Sequence, residues 1–256
     1  MMRLFGILKR WILEVQQFTL LSVRAAIALF TRPRFPSEMY LQMDAIGIGS
    51  LNIVILTGLF TGMVLALQTA LSLDTFGAKN YVGRVVSLSM VRELGPVLTA
   101  LMVAGRVGSG IAAELGSMMV TDQINAMRAM GSDPLRKLVV PRLAACLVML
   151  PMLTILSDTL GLAGGYLISI VILKIPGGLY FQTATDAISM EDIIGGLIKP
   201  VVFGFIISMT GCYMGLNTSG GTQGVGRSTT QSVVICSVLV LFSDFLLTRI
   251  FFAFLY

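Results

Sequence analysis

Long stretches of this chain carry little or no charge, and their lengths match the thickness of a lipid bilayer. Ala45 to Leu73 has no charged residue, Leu143 to Leu173 holds only Asp158, and Gln231 to Tyr256 holds only Asp244 and Arg249. A helix needs about 20 predominantly apolar residues to cross the hydrocarbon. The pattern predicts an all-α membrane protein in one domain, residues 1–256, with five transmembrane helices at about 45–72, 85–107, 142–173, 193–215 and 229–253.

Residues 1–36 follow a different rhythm. Arg3, Arg10, Gln17 and Arg24 recur beside a stripe of Leu4, Trp11 and Phe18, which predicts an amphipathic helix lying in the membrane interface. Glu14, Gln16, Gln17 and Arg24 interrupt the apolar core that a signal peptide would need. Pro33 and Pro36 are expected to end this helix.

The connection between the second and third spans, residues 112–141, also has a pattern. Leu115, Met118 or Met119, Asp122, Met127 and Met130 predict one or two short amphipathic helices, closed by Gly131 and by Asp133 with Pro134. Methionines suit an adaptable docking surface for a soluble partner, the favoured reading, although membrane-associated helices are often Met-rich without one. The Gly-rich stretch Asn217 to Gly226 lacks the Lys-Ser/Thr ending of a phosphate cradle and is expected to be a flexible turn, with Arg227 anchoring the fifth span at the headgroups. Glycines four apart, at Gly58 and Gly62, Gly161 and Gly165, and Gly211 and Gly215, permit close helix contact without naming the partner helix.

Composition narrows the chemistry. The chain is 55% hydrophobic and 12% charged, against about 25% charged in soluble domains. It contains no His, and Cys146, Cys212 and Cys236 all fall in apolar runs, so neither a metal site nor a disulfide framework is expected. No GxxxxGK[ST] motif is present, so ATP hydrolysis would have to come from another chain. No GxSxG turn is present either, which leaves a membrane-embedded enzyme little support.

The net charge of +5 is explained by membrane flanks and not by nucleic acid. With the N-terminus inside, the inner segments hold Arg3, Lys9, Arg10, Arg24, Arg32, Arg34, Arg128, Arg136, Lys137, Arg142 and Arg227, whereas the outer ones hold only Lys79, Arg84 and Lys174. The expected topology is N-in, C-out.

The run VRELGPVLTALMVAGRVGSGIAAELGSMMVTDQINAMRAMGSDPLRKLVVPR, Val91 to Arg142, resembles the signature region of the MlaE family of ABC-transporter permeases. LIKP at Leu197 to Pro200, GVGRSTT at Gly224 to Thr230 and the SDF-x-LT pattern at Ser243 to Thr248 extend the likeness over nearly the whole chain. The resemblance implies a homodimeric permease in the inner membrane of a double-membraned bacterium. Its implied partners are a cytoplasmic ABC ATPase, a periplasmic lipid-binding MCE-domain protein and, in some complexes, a small STAS-domain subunit. Its implied cargo is phospholipid moving between the inner and outer membranes, with sterol-like or other hydrophobic substrates as the alternative. Plastid relatives exist, and the missing Ser- and Arg-rich leader favours a bacterial source.

Charged residues inside spans are costly and face a protein interior or a wet cavity. Here they are Arg92, Glu93, Asp158, Lys199 and Asp244. Glu93, Lys199 and Asp244 lie about eight, six and nine residues below the outer ends of their spans, depths that agree within roughly one helical turn. They are expected to form a polar layer in the outer third of the membrane.

The plainer reading of Lys199 with Asp244 is an ion pair that fixes helix packing. Glu93 is read as functional, because Pro96 removes a backbone bond close by and lets the helix bend. Leu65, Leu94 and Val97 are expected neighbours for lipid tails. Arg106 could reach phosphate headgroups, but capping of the last carbonyls of the second span is the favoured reading. The segment from Glu114 to Arg136, including Met118, Asp122, Met127, Met130 and Asp133, is expected to receive the push of the ATPase. A proton-coupled secondary transporter remains a rival reading of the buried charges, although no inverted repeat is evident. No cofactor is expected.

Overall fold

The computed structural model describes residues 2–31 and 35–254, with side chains over residues 12–31 and 35–253. The described residues form helices and no strand. They are α1 (Met2–Phe30), α2 (Pro36–Asp74), α3 (Val82–Ser89), α4 (Gly95–Val103), α5 (Ser109–Val120), α6 (Gln123–Ala129), α7 (Val140–Val171), α8 (Gly177–Thr185), α9 (Met190–Leu216) and α10 (Gly221–Phe254). π-helical turns at Met90–Leu94 and Ala104–Gly108 join α3, α4 and α5 into one rod, and a third at Leu135–Val139 leads into α7.

Among the described residues, six helical segments are long and apolar enough to cross a membrane: Ile12–Phe30, Pro36–Asp74, Lys79–Val120, Leu135–Val171, Met190–Leu216 and Gly221–Ala253. Part of α1 is thus among them, besides the five expected spans. Helices outrun the apolar runs because backbone hydrogen bonding continues past the last apolar residue as long as caps and packing support it.

Three local expectations need correction. Pro36 opens α2 instead of closing α1, since a missing N–H costs nothing at the first helical position; Pro33 lies outside the described residues. The stretch 217–226 is not all loop, because α10 begins at Gly221. The reversal is made by Gly220 (φ +91°) and Gly221 (φ +68°), a conformation only glycine adopts without strain. Arg106 does not cap its own helix. It donates to the Ser50 hydroxyl at 2.8 Å and the Ala45 carbonyl at 3.2 Å, tying the second π turn to α2.

The glycine pairs act within the chain. Gly58 and Gly62 of α2 press against Ser157 and Gly161 of α7; a Cβ on Gly58 would lie 2.7 Å from the Ser157 carbonyl oxygen, and one on Gly62 would strike the Gly161 carbonyl. Gly211 and Gly215 give α9 the same close approach to α5, near Gly108, Ile111 and Leu115. Small residues let helix backbones meet where no hydrophobic effect separates protein from lipid tails. The main core joins Val103, Leu115, Leu143, Leu150, Phe203 and Ile207 from α4, α5, α7 and α9. The three cysteines are buried and free.

Candidate functional site

RELGP sits on the first π turn. Proline has no N–H, so the ladder cannot run regularly through Pro96. Instead the Gly95 N–H reaches back five residues to the Met90 carbonyl, and the helix continues through the insertion. The turn presents Arg92 and Glu93 to α9, which comes in close because Gly196 has no side chain to strike the Val91 carbonyl.

Lys199 enters from α9. Its side chain is 2% exposed, yet Nζ lies 2.8 Å from Glu93 Oε2 and 2.9 Å from Asp244 Oδ1 on α10. It also donates to the Arg92 carbonyl and to Thr248 Oγ1, each at 2.8 Å. An ammonium has three protons for these four oxygens; the Arg92 carbonyl and the Thr248 hydroxyl take directed hydrogen bonds, and the two carboxylates are held as ion pairs. Thr248 closes the ring by donating its hydroxyl to Glu93 Oε1 at 2.9 Å. The structure thus brings Glu93, Lys199 and Asp244 together.

Arg92 turns the other way. Its Nε donates to Asp192 Oδ1 at 2.6 Å, while Asp192 Oδ2 accepts from the Ser189 N–H and hydroxyl in a capping box that starts α9. Between these two ion pairs lies a cavity of about 200 Å³, walled by Gly195, Gly196, Phe251 and Phe252. Glu93 keeps 40% of its side chain exposed and Arg92 33%. Among the cluster's charges, the lysine is sealed and the π-turn pair is presented.

The expected tail-contact residues do not share this cavity. Leu65 and Leu94 line a separate open groove with Phe60, Thr61, Val64 and Gln68, and Val97 is half-buried against the main core.

At the opposite end of the rod, α5 runs on to Val120. The chain then turns at Asp122, whose φ of 57° is left-handed, into the seven-residue α6. Met118 and Met127 are half-buried and pack on the core, whereas Met130 is 75% exposed. Asp122 accepts from Asn125 at 2.9 Å. Glu114 pairs with the buried Arg142 at 2.7 Å, and Asp133 lies 3.6 Å from Arg136.

The family model described as Permease MlaE matches residues 39–250. The chain belongs to the MlaE permease family. This MlaE-family chain is 42% identical over 239 residues to a "Probable ABC transporter permease protein" of Rickettsia conorii, covering 93% of this chain and 92% of the relative. It is 44% identical over 211 residues to one from Synechocystis, covering 82% and 80%. It is 39% identical over 211 residues to the chloroplastic protein TRIGALACTOSYLDIACYLGLYCEROL 1 of Arabidopsis thaliana, covering 82% of this chain and 60% of that one. Together with the apolar helices, this family makes the chain a multi-pass membrane protein.

Sequence reasoning passed over Thr248, Asp192 and the two phenylalanines. Two of these had a signal: Thr248 follows Asp244 by four residues, on the same helix face, and Ser189 with Asp192 spells a capping box.

Proposed function

We propose that this chain is the permease subunit of an ABC transporter that moves phospholipid between inner and outer membranes. It would sit N-in, C-out as a homodimer in the inner membrane of a double-membraned bacterium. A cytoplasmic ATPase, a periplasmic MCE-domain protein and in some assemblies a STAS subunit would complete the machine. The relatives' names as ABC permeases support the class, and the positive-inside count supports the orientation.

One observation carries the substrate reading: two ion pairs flank a phenylalanine-walled cavity in otherwise apolar helices. A headgroup needs charge at one end, and acyl chains need only apolar walls. Arg92 and Glu93, neighbours on one π turn, set opposite charges side by side and match the phosphate and ammonium of a zwitterionic lipid.

The Glu114 to Arg136 segment would receive the motion of the ATPase and pass it along the continuous rod to the first π turn. π insertions mark functional sites in helices, and a rigid-body step of this kind needs no chemistry in the permease.

The test is reconstitution of the permease with its ATPase and MCE protein in lipid vesicles. ATP-dependent transfer of labelled phospholipid between vesicles and MCE protein is expected. Transfer that persists without ATPase but collapses with the proton gradient would instead establish the secondary-transporter reading, and selective transfer of a sterol would move the substrate class.

A further inference from the structure

A second charged cavity lies where α1 crosses the turn between α6 and α7, far from Lys199. It holds about 500 Å³ and is lined by Arg24 of α1, Arg128 of α6, and Asp133 and Arg136 of the turn, with Leu21 and Ile27 as apolar wall. Three guanidiniums thus face one carboxylate. Asp133 stands 3.6 Å from Arg136, while Arg24 and Arg128 have no carboxylate of the described residues within 4.0 Å. Arg128 makes a long 3.5 Å hydrogen bond to Asn125.

The α1 surface around Arg24 is apolar and exposed. Leu20 and Ile27 lie four residues before and three after it and share its side of the helix, and Val23, three after Leu20 and four before Ile27, widens that stripe. A guanidinium set in such a stripe matches a ligand that is anionic at one end and hydrocarbon along the rest.

We infer that this cavity binds the phosphate of an anionic phospholipid in the leaflet at the α6 end, with the acyl chains lying along Leu20, Val23 and Ile27. Basic pockets between helices at a membrane surface select anionic headgroups in this way. The bound phosphate bridges α1, α6 and the turn before α7, so it holds the short α6 helix against the membrane-embedded core. The inference is independent of the transported substrate and of the Lys199 cavity.

The experiment places the permease–ATPase complex in nanodiscs of phosphatidylethanolamine with a minor fraction of phosphatidylglycerol, and measures lipid retained after extraction by native mass spectrometry. Arg24→Gln with Arg128→Gln is expected to weaken phosphatidylglycerol retention roughly fivefold per guanidinium, Arg24→Lys to restore part of it, and Lys79→Gln, whose ammonium is engaged by Asp74 outside this cavity, to leave it unchanged. Retention equal to wild type in the double variant overturns the inference. So does displacement of the lipid by inorganic phosphate alone, which would make this a soluble-anion site. Retention by the permease alone that vanishes in the complex also overturns it, because the surface would then belong to the ATPase. An unchanged thermal midpoint in the double variant separates loss of binding from loss of fold.

Discussion

Lys199 Nζ reaches across from α9 to within 2.8 Å of Glu93 Oε2 on the rod, and Thr248 of α10 bonds to both residues. Three helices are therefore fastened at one buried ammonium. A sealed cation with two carboxylates costs much to break by halves: removing one partner of a buried pair costs about 3–5 kcal/mol, whereas replacing the set with apolar groups can be nearly neutral.

Lys199→Met should accordingly lower the thermal midpoint of the detergent-purified permease by several degrees. Adding Asp244→Leu should recover part of that loss by removing a carboxylate left without its partner. A midpoint for Lys199→Met equal to wild type would show that the cluster does not hold the helices together.

Glu93→Gln removes the presented charge while retaining an oxygen for the Thr248 hydroxyl. The variant should stay folded, with a midpoint lowered less than that of Lys199→Met because Asp244 still pairs with the ammonium, and transfer phospholipid at least about tenfold more slowly, a loss of roughly 1.4 kcal/mol in the rate-limiting interaction. Asp158→Asn serves as the comparison, since Asp158 lies outside the Lys199 cavity.

Gly62→Val places a side chain in the path of the Gly161 backbone, which cannot move aside as a flexible side chain would. Overpacking of this kind costs about 1–3 kcal/mol or more. Reduced yield and a lowered midpoint are expected, and Gly226→Ala, with open space around it, should leave both unchanged.

At the α6 end, Asp122→Lys combined with Met130→Gln should release the ATPase in a pull-down, because both residues are exposed. Met127→Gln acts differently: its half-buried side chain packs on the core, so its expected effect is a lowered midpoint. Retained ATPase binding in the double variant would remove this surface from the coupling path.

The polar cluster was legible in the sequence for a physical reason. Charges are so scarce in these spans that equal depth along three helices was enough to bring Glu93, Lys199 and Asp244 into one layer. Apolar neighbours had no such signal, because every face of a membrane helix is apolar; Leu65, Leu94 and Val97 fitted a tail pocket by depth alone, and the structure sends the first two to another groove and the third to the core. The glycine spacing told that backbones would meet but not which ones, since α7 and α5 became partners only through the fold. The π turn at Met90–Leu94 was half visible: Pro96 marked a broken hydrogen bond, while the insertion that absorbs it depends on tertiary packing.

The proposed transport rests on a phospholipid headgroup held between Arg92 and Glu93. A benzophenone-bearing residue in place of Phe251, in the cavity wall, tests it most directly, with the same residue in place of Phe60 on the other groove as a measure of bulk lipid contact. Irradiation in nanodiscs should give a phospholipid adduct at position 251 that falls several-fold when Arg92→Gln and Glu93→Gln are introduced, while the adduct at position 60 stays constant. An adduct at position 251 unchanged by the loss of both charges would show that Arg92 and Glu93 hold no headgroup.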